Sequence, residues 1–286
     1  MKKSVKISKK TGIALFVTAA VIMALLIVFH KNPGPAVDQS QELTKKIISC
    51  VVIAAACFAF IHWYDKFTGL PVELFQNRHL IWKLAKNDFK KRYAGSYLGA
   101  VWAMAQPVVT VAMYYIVFDK IMGNTSTPLR EGVEVPFVLF LTAGLVPWFY
   151  FSEALNNGTN ALLEYNYLVK KVVFNIRILP VVKVFSAVFV HCFFVVIVLV
   201  IYTCMGYPPS LYALQLVYYS FCIFMLILAV TYMTSAAVVF FRDLSQIINI
   251  MLQVGVWVTP IMWDFNDLGL GGLLANILKL NPVFYI

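Results

Sequence analysis

The sequence predicts an all-α fold, a polytopic membrane helical bundle, and three observations predict it. Of 286 residues, 61% are hydrophobic and only 13% charged, with a mean hydropathy of +0.80. Average soluble domains run at roughly 45–50% apolar and ~25% charged. Seven apolar runs approach the ~20 residues needed to cross ~30 Å of hydrocarbon at ~1.5 Å per residue. No stretch shows the strict alternation of a membrane β-barrel. A soluble chain could neither bury so much apolar surface nor cover itself with so few charges. A soluble enzyme, a disordered chain and a nucleic-acid module are therefore disfavoured together.

The runs are Gly12–His30, Ile47–Trp63, Leu98–Phe118, Phe137–Phe151, Val181–Tyr202, Tyr212–Phe240 and Ile247–Trp263. The first follows a basic stretch, as a secretory signal does. Its apolar core exceeds the ~7–15 residues of a signal, and Pro33-Gly34-Pro35-Ala36 makes a poor cleavage site, so it reads as a retained anchor. The fourth is short and is expected to continue through Ser152 to Leu155. The sixth is long enough to need tilt or a protruding end. Leu268–Leu280 is too short and too Gly-rich to span, and is expected to lie at the outer surface or to dip in and return.

The net charge of +10 resolves into a topology signal, because Lys and Arg set the facing of membrane helices. Counting alternate sides of the spans, 17 basic residues fall on one side and 6 on the other. The richer side takes the N-terminal lysines, the segment Lys66–Arg92, and Lys170, Lys171, Arg177, Lys183 and Arg242. It is expected to be cytoplasmic, with the N-terminus inside a bacterial inner membrane and the end of the chain outside.

Arg78–Tyr93 is the most informative polar stretch. Trp82, Ala85, Phe89 and Tyr93 recur at helical spacing beside a stripe of Lys83, Lys86 and Lys90. This describes an amphipathic helix in the cytoplasmic interface, with rings at headgroup depth and amines toward anionic lipid. Two readings stand: a topology signal and lipid anchor, or a gate controlling access of a lipid-linked or anionic substrate. The gate would be formed by Trp82, Lys83, Lys86, Phe89, Lys90 and Tyr93. A second segment, Ser152–Pro180, reads helical from Ala154 to Glu164 and projects into the cytosol. It suits docking of a soluble partner through Asn157, Leu162, Glu164, Tyr167, Lys170 and Lys171; the alternative is an ordinary solvated loop.

No catalytic or metal-binding set emerges. His30, His62, His79 and His191 are scattered. His191, inside the fifth run, is a functional candidate as an intramembrane polar group; the plainer reading is a neutral ring hydrogen-bonded to a neighbouring helix. Cys50, Cys57, Cys192, Cys204 and Cys222 lack metal-type spacing and read as small buried hydrophobes. No Asp or Glu falls mid-span, which argues against a pump built on membrane carboxylates. The phosphate-cradling loop G-x-x-x-x-G-K-[ST] is missing from the sequence, so an ATP motor of that type would have to be another polypeptide.

The chain holds 23 Phe, 15 Tyr and 6 Trp. Many suit an interfacial belt. The polar-tipped rings Tyr114, Tyr115, Trp148, Tyr150, Trp257 and Trp263 are candidates for a glycan path, because an aromatic face packs against the C–H face of a pyranose.

Several stretches together resemble the permease subunit of ABC-type polysaccharide exporters, in the type-2 ABC transporter superfamily. Tyr93-Ala94-Gly95-Ser96-Tyr97-Leu98-Gly99-Ala100-Val101-Trp102, with Pro107 following, resembles the approach to that family's first core span. Gly144-Leu145-Val146-Pro147-Trp148 resembles its second-span motif. Leu168-Val169-Lys170-Lys171-Val172, Phe174 and Ile178-Leu179-Pro180 resemble the loop before the third. Phe241-Arg242-Asp243, Thr259-Pro260-Ile261-Met262-Trp263 and Asn281-Pro282 with Tyr285 resemble the later signatures. Asn175 stands where the family usually has Pro, and Ile176-Arg177 replaces its Arg-Glu pair.

The resemblance covers about Leu80 to Ile286 and implies a division of the chain. Residues 1–66 form an added two-span hairpin, 67–97 the gate-helix region, and 98–286 a permease core of five spans, with a sixth expected to be missing. It also implies a homodimer of permeases, an ATPase partner docked on the loop after the second core span, and a lipid-linked glycan (O-antigen, capsule or teichoic acid) as substrate. ATP and Mg would belong to the partner, with no cofactor and no enzyme activity on this chain. Export of a drug or small lipid, or a non-transporting membrane scaffold, are the alternatives.

Overall fold

The computed structural model describes residues 9–29, 39–92, 94–95, 97–123, 126–130, 133–166, 175–263 and 278–285. The chain divides into two compact units, Met1–His79 and Leu80–Ile286.

In the first unit α1 (Lys9–Phe29) packs on α2 (Gln39–His62), followed by α3 (Tyr64–Gln76), an element the sequence pattern did not announce. Phe16 stacks on Phe60 with ring centroids 4.0 Å apart. Lys9 pairs with Asp65 at 2.9 Å, an exposed contact of the kind that contributes little. Ala20 and Tyr64 are buried, whereas Leu26 and Phe29 stand open. Apolar helices with bare apolar sides are what a hydrocarbon solvent permits.

The second unit takes in α4 (Arg78–Arg92) from Leu80 onward and runs through α5 (Trp102–Tyr115). A 3-10 turn (Gly99–Val101) precedes α5, and a π-helical stretch (Ile116–Ile121) continues it. The third apolar run is thus one helical path in three geometries, with Pro107 inside it. A two-stranded antiparallel hairpin follows, β1 (Ser126–Arg130) against β2 (Val133–Pro136), with Thr127 opposite Val135. It is the one departure from helix among the described elements. Then come α6 (Phe137–Thr159), α7 (Ala161–Glu164), α8 (Ile178–Cys204), α9 (Gln215–Phe240) and α10 (Leu244–Val258).

Among the described residues, five helices are long and apolar enough to cross a membrane: α1, α2, α6, α8, and α9 with its leading turn. The seventh apolar run gives only the 15-residue α10. The cause is local. Pro260 pushes its predecessor out of the helical region, and Thr259 sits at φ −82°, ψ 137°.

α6 is the centre of the unit, packing most extensively on α8 and α9. On one side Tyr150 and Ala154 meet Val184, Ala187, Ile223 and Ile227. On another, Leu141, Leu145 and Trp148 meet Ile261 and Met262. α6 also runs further than the fourth apolar run suggested, to Thr159, so most of the expected projecting helix Ala154–Glu164 is the end of this span. Thr159 meets Thr234 of α9 at 2.8 Å, and Asn160 accepts from Ser245 at 2.7 Å.

Candidate functional site

A cavity of about 630 Å³ opens between α5, α6, α8 and α10. α6 contributes Leu145, Trp148, Ser152, Glu153 and Asn156 to its wall, the three- and four-residue spacing that puts side chains on one helix face. Trp148 can reach this position because α10 carries Gly255 opposite: a Cβ there would lie 2.7 Å from the indole Cη2. Across the cavity stand Gln106, Thr110 and Tyr114 from α5, with Asn249 and Gln253 from α10. The Asn156 amide donates to Asn249 Oδ1 at 2.6 Å, joining α6 to α10. Side-chain amides offer both donors and acceptors. Set among aromatic rings, they form a surface that alternates between hydrogen-bonding and apolar faces, within the volume range of small-molecule sites.

His191 of α8 lines the same cavity. Its ring stacks on Tyr150 with centroids 4.6 Å apart, and its Nε2 lies 3.1 Å from Ser220 Oγ of α9. The neighbouring-helix hydrogen bond expected for this residue is therefore present. Nδ1 of His191 and the Tyr150 hydroxyl are buried without a partner among the described residues. A second cavity of about 470 Å³, mostly apolar, lies between α6, α8 and α9 and shares Val146 and His191 with the first.

A cluster of charges adjoins the first cavity. The Lys183 ammonium of α8 donates to Asp88 of α4 at 2.8 Å and also to Glu164 of α7. Arg92, one turn beyond Asp88 on α4, donates to Asp88 at 3.0 Å, to Glu153 at 2.5 Å and to Ser186 at 3.3 Å. The Tyr165 hydroxyl donates at 2.7 Å to Asp88 Oδ1, the oxygen that also accepts from Lys183, while Arg92 takes Oδ2. Glu153 is the shared member, a cavity wall residue held by a helix outside the cavity. Burial pushes the Asp88 carboxyl upward. Lys183, Tyr165 and Arg92 outweigh that and hold it below its usual 3.8.

The residues singled out in the sequence fall as follows. On α4, Lys83, Lys86 and Lys90 are exposed. Trp82 is exposed but meets Phe189 edge-on at 5.2 Å, and half-buried Phe89 meets the same ring at 5.7 Å. The face of α4 turned inward is Ile81, Ala85 and Asp88, rotated from the aromatic stripe and carrying a carboxylate. Tyr93 lies outside the described residues. Of the docking set, Asn157 lines the cavity, Leu162 is half-buried, and Glu164 is exposed with its carboxylate on Lys183. Tyr167, Lys170 and Lys171 lie outside the described residues. Of the six polar-tipped aromatics, Tyr114, Trp148 and Tyr150 come together in the cavity. Tyr115 instead lies under the Lys120 ammonium at 5.4 Å, Trp257 is exposed, and Trp263 donates its indole N–H to the Trp257 carbonyl at 3.0 Å.

Asp88, Arg92, Glu153 and Lys183 were not singled out as a group. The signal was there: Lys183 lies inside the fifth apolar run and Glu153 in the expected continuation of the fourth, where a charge must find a partner, and Asp88 and Arg92 sit four apart on one helix.

Residues 79–286 match the family described as ABC-2 type transporter. An O-antigen export system permease protein RfbA of Myxococcus xanthus is 29% identical over 215 residues, covering 74% of this chain and 78% of the relative. Two proteins of the same name from Klebsiella pneumoniae are 28% and 26% identical over 185 residues, each covering 63% of this chain and 67% of the relative.

Proposed function

The chain belongs to the ABC-2 type transporter family, and from that premise we propose that it is the membrane permease of an ATP-driven polysaccharide exporter. In this reading its cargo is a lipid-linked glycan of the O-antigen, capsule or teichoic-acid class; its relatives are named for O-antigen export. An ABC ATPase is the partner such a permease requires. Because the sequence carries no phosphate-cradling loop, ATP and Mg bind that partner. Two permease copies pair in a bacterial inner membrane with their N-termini inside, a topology the basic-residue asymmetry supports.

The observation that carries this reading is the cavity between α5, α6, α8 and α10. Its side-chain amides and aromatic rings, Gln106, Asn156, Asn249 and Gln253 with Tyr114 and Trp148, suit a molecule with hydroxyl edges and apolar ring faces. In this reading α4 is the gate helix on the cytoplasmic side, and the segment following α7 is where the ATPase docks.

The test is purification of the chain co-expressed with its neighbouring genes, to read whether an ABC ATPase comes with it, together with a deletion strain. Co-purification and loss of surface glycan are the expected results. A transport-competent assembly without any ATPase subunit overturns the proposal. Intact glycan with new drug sensitivity overturns the cargo assignment.

A further inference from the structure

We propose that Glu164, Lys183, Asp88, Arg92 and Glu153 form a relay of alternating charge that couples α7 to the cavity. Through it, seating of Glu164 on Lys183 and release of Glu153 to bind cargo favour one another. The cargo end of the relay rests on the exporter reading above; the electrostatic coupling does not.

The contacts run in one order, from Glu164 to Lys183, Asp88, Arg92 and Glu153. The signs alternate along it, and the three inner charges are each shared between two partners. Burial makes the sharing matter, since Coulomb interactions strengthen as water is excluded. The Lys183 and Asp88 side chains are only 5% and 6% exposed, whereas the end members are more open, Glu153 at 30% and Glu164 at 50%. The buried middle therefore connects two accessible ends, one in the cavity wall and one on α7.

An odd number of alternating charges fixes the sign of the coupling. When cargo hydroxyls donate to Glu153, Arg92 turns toward Asp88. Lys183 then shares Asp88 less and holds Glu164 more firmly. When Glu164 is drawn off, Lys183 closes on Asp88 and Arg92 closes on Glu153, withdrawing that carboxylate from the cavity. The two descriptions are one coupling free energy seen from either end. Lys183, Asp88 and Arg92 act as positioning residues, because Glu153 alone among the five reaches the cavity.

The test uses the purified full chain in detergent, with Glu164→Gln, Glu153→Gln and the double variant. Either single change leaves four alternating charges that close as two neutral pairs. The double leaves one carboxylate between two cations. Each single variant should shift the thermal midpoint by less than about 2 °C, and the double should fall below the sum by a further ~2–4 °C. In Glu153→Gln, hydrogen exchange in residues 161–164 should slow at least about twofold, because Glu164 then holds Lys183 more tightly. Additive midpoints overturn the relay. Non-additive midpoints with unchanged exchange in α7 also overturn it, since charge balance alone would give them. Neither cargo nor ATPase enters the measurement, so failure here leaves the exporter reading standing.

Discussion

The Lys183 ammonium lies 2.8 Å from the Asp88 carboxylate although 95 residues separate them. The pair ties α4, an outwardly basic helix, to the inner face of α8. Neither charge would be tolerated alone in so dry a place. Asp88 is therefore filled on both oxygens by Lys183, Tyr165 and Arg92. The helix is held by an electrostatic clamp as well as by the packing of Ile81, Ala85 and Phe89.

Removing one side of that clamp should cost more than removing both. Lys183→Met leaves Asp88 short of its closest cation and should lower stability by about 3–5 kcal/mol. Adding Asp88→Asn to that variant should recover most of the loss. Chemical denaturation of the purified variants reads both, and a double variant as unstable as the single would exclude the clamp.

Acidification supplies a second check. Asp88 is held below its usual carboxylate value of 3.8, mainly by Lys183 against the opposing effect of burial. A depressed folded-state value stabilises the protein fully above the ordinary value, and the contribution is lost as pH falls through the depressed one. The thermal midpoint of the wild type relative to Asp88→Asn should therefore stay constant above pH 3.8 and converge only below it. A difference that stays flat as the pH falls below 3.8, or that grows in favour of the wild type, would show that the carboxyl is not held.

The close approach of α6 and α9 depends on Gly158. A Cβ at this position would lie 2.4 Å from Thr231 Cγ2, and Thr231 is fully buried. Gly158→Ala should destabilise by about 1–3 kcal/mol, with Thr231→Ala restoring part of it. Gly69→Ala, where nothing stands within 4 Å, should leave the midpoint unchanged or raise it, because Ala favours helix by ~1 kcal/mol.

Export should discriminate between side chains that the sequence alone could not. Tyr114 and Gln253 line the cavity, whereas Trp257 is 56% exposed and does not. In an assay of glycan at the cell surface, Tyr114→Ala and Gln253→Ala should each reduce export about tenfold, equivalent to roughly 1.4 kcal/mol. Trp257→Ala should leave it near wild type. Equal losses at all three would detach function from the cavity.

The sequence by itself determined the solvent in which this chain folds. Length and high hydropathy mark Val181–Tyr202 or Tyr212–Phe240 as spans without reference to any neighbour, because a helix in hydrocarbon satisfies its own backbone. The ordered motifs between Tyr93 and Tyr285 marked the family for the same reason: they are local. The third and seventh runs were located, but their geometry hinged on backbone effects, the π-helical continuation after Tyr115 and the stop before Pro260.

Only the tertiary structure decided which side chains share a site. A span apolar on every side carries little periodic signal to say which face turns inward, so Trp148 and Trp257 look alike in sequence and part company in the fold. On α4 the aromatic stripe was the more visible pattern, yet the inward face is set by Asp88, whose place depends on a lysine on another helix. A buried charge takes its position from its partner, and pairing across 95 residues is information that no window of sequence contains.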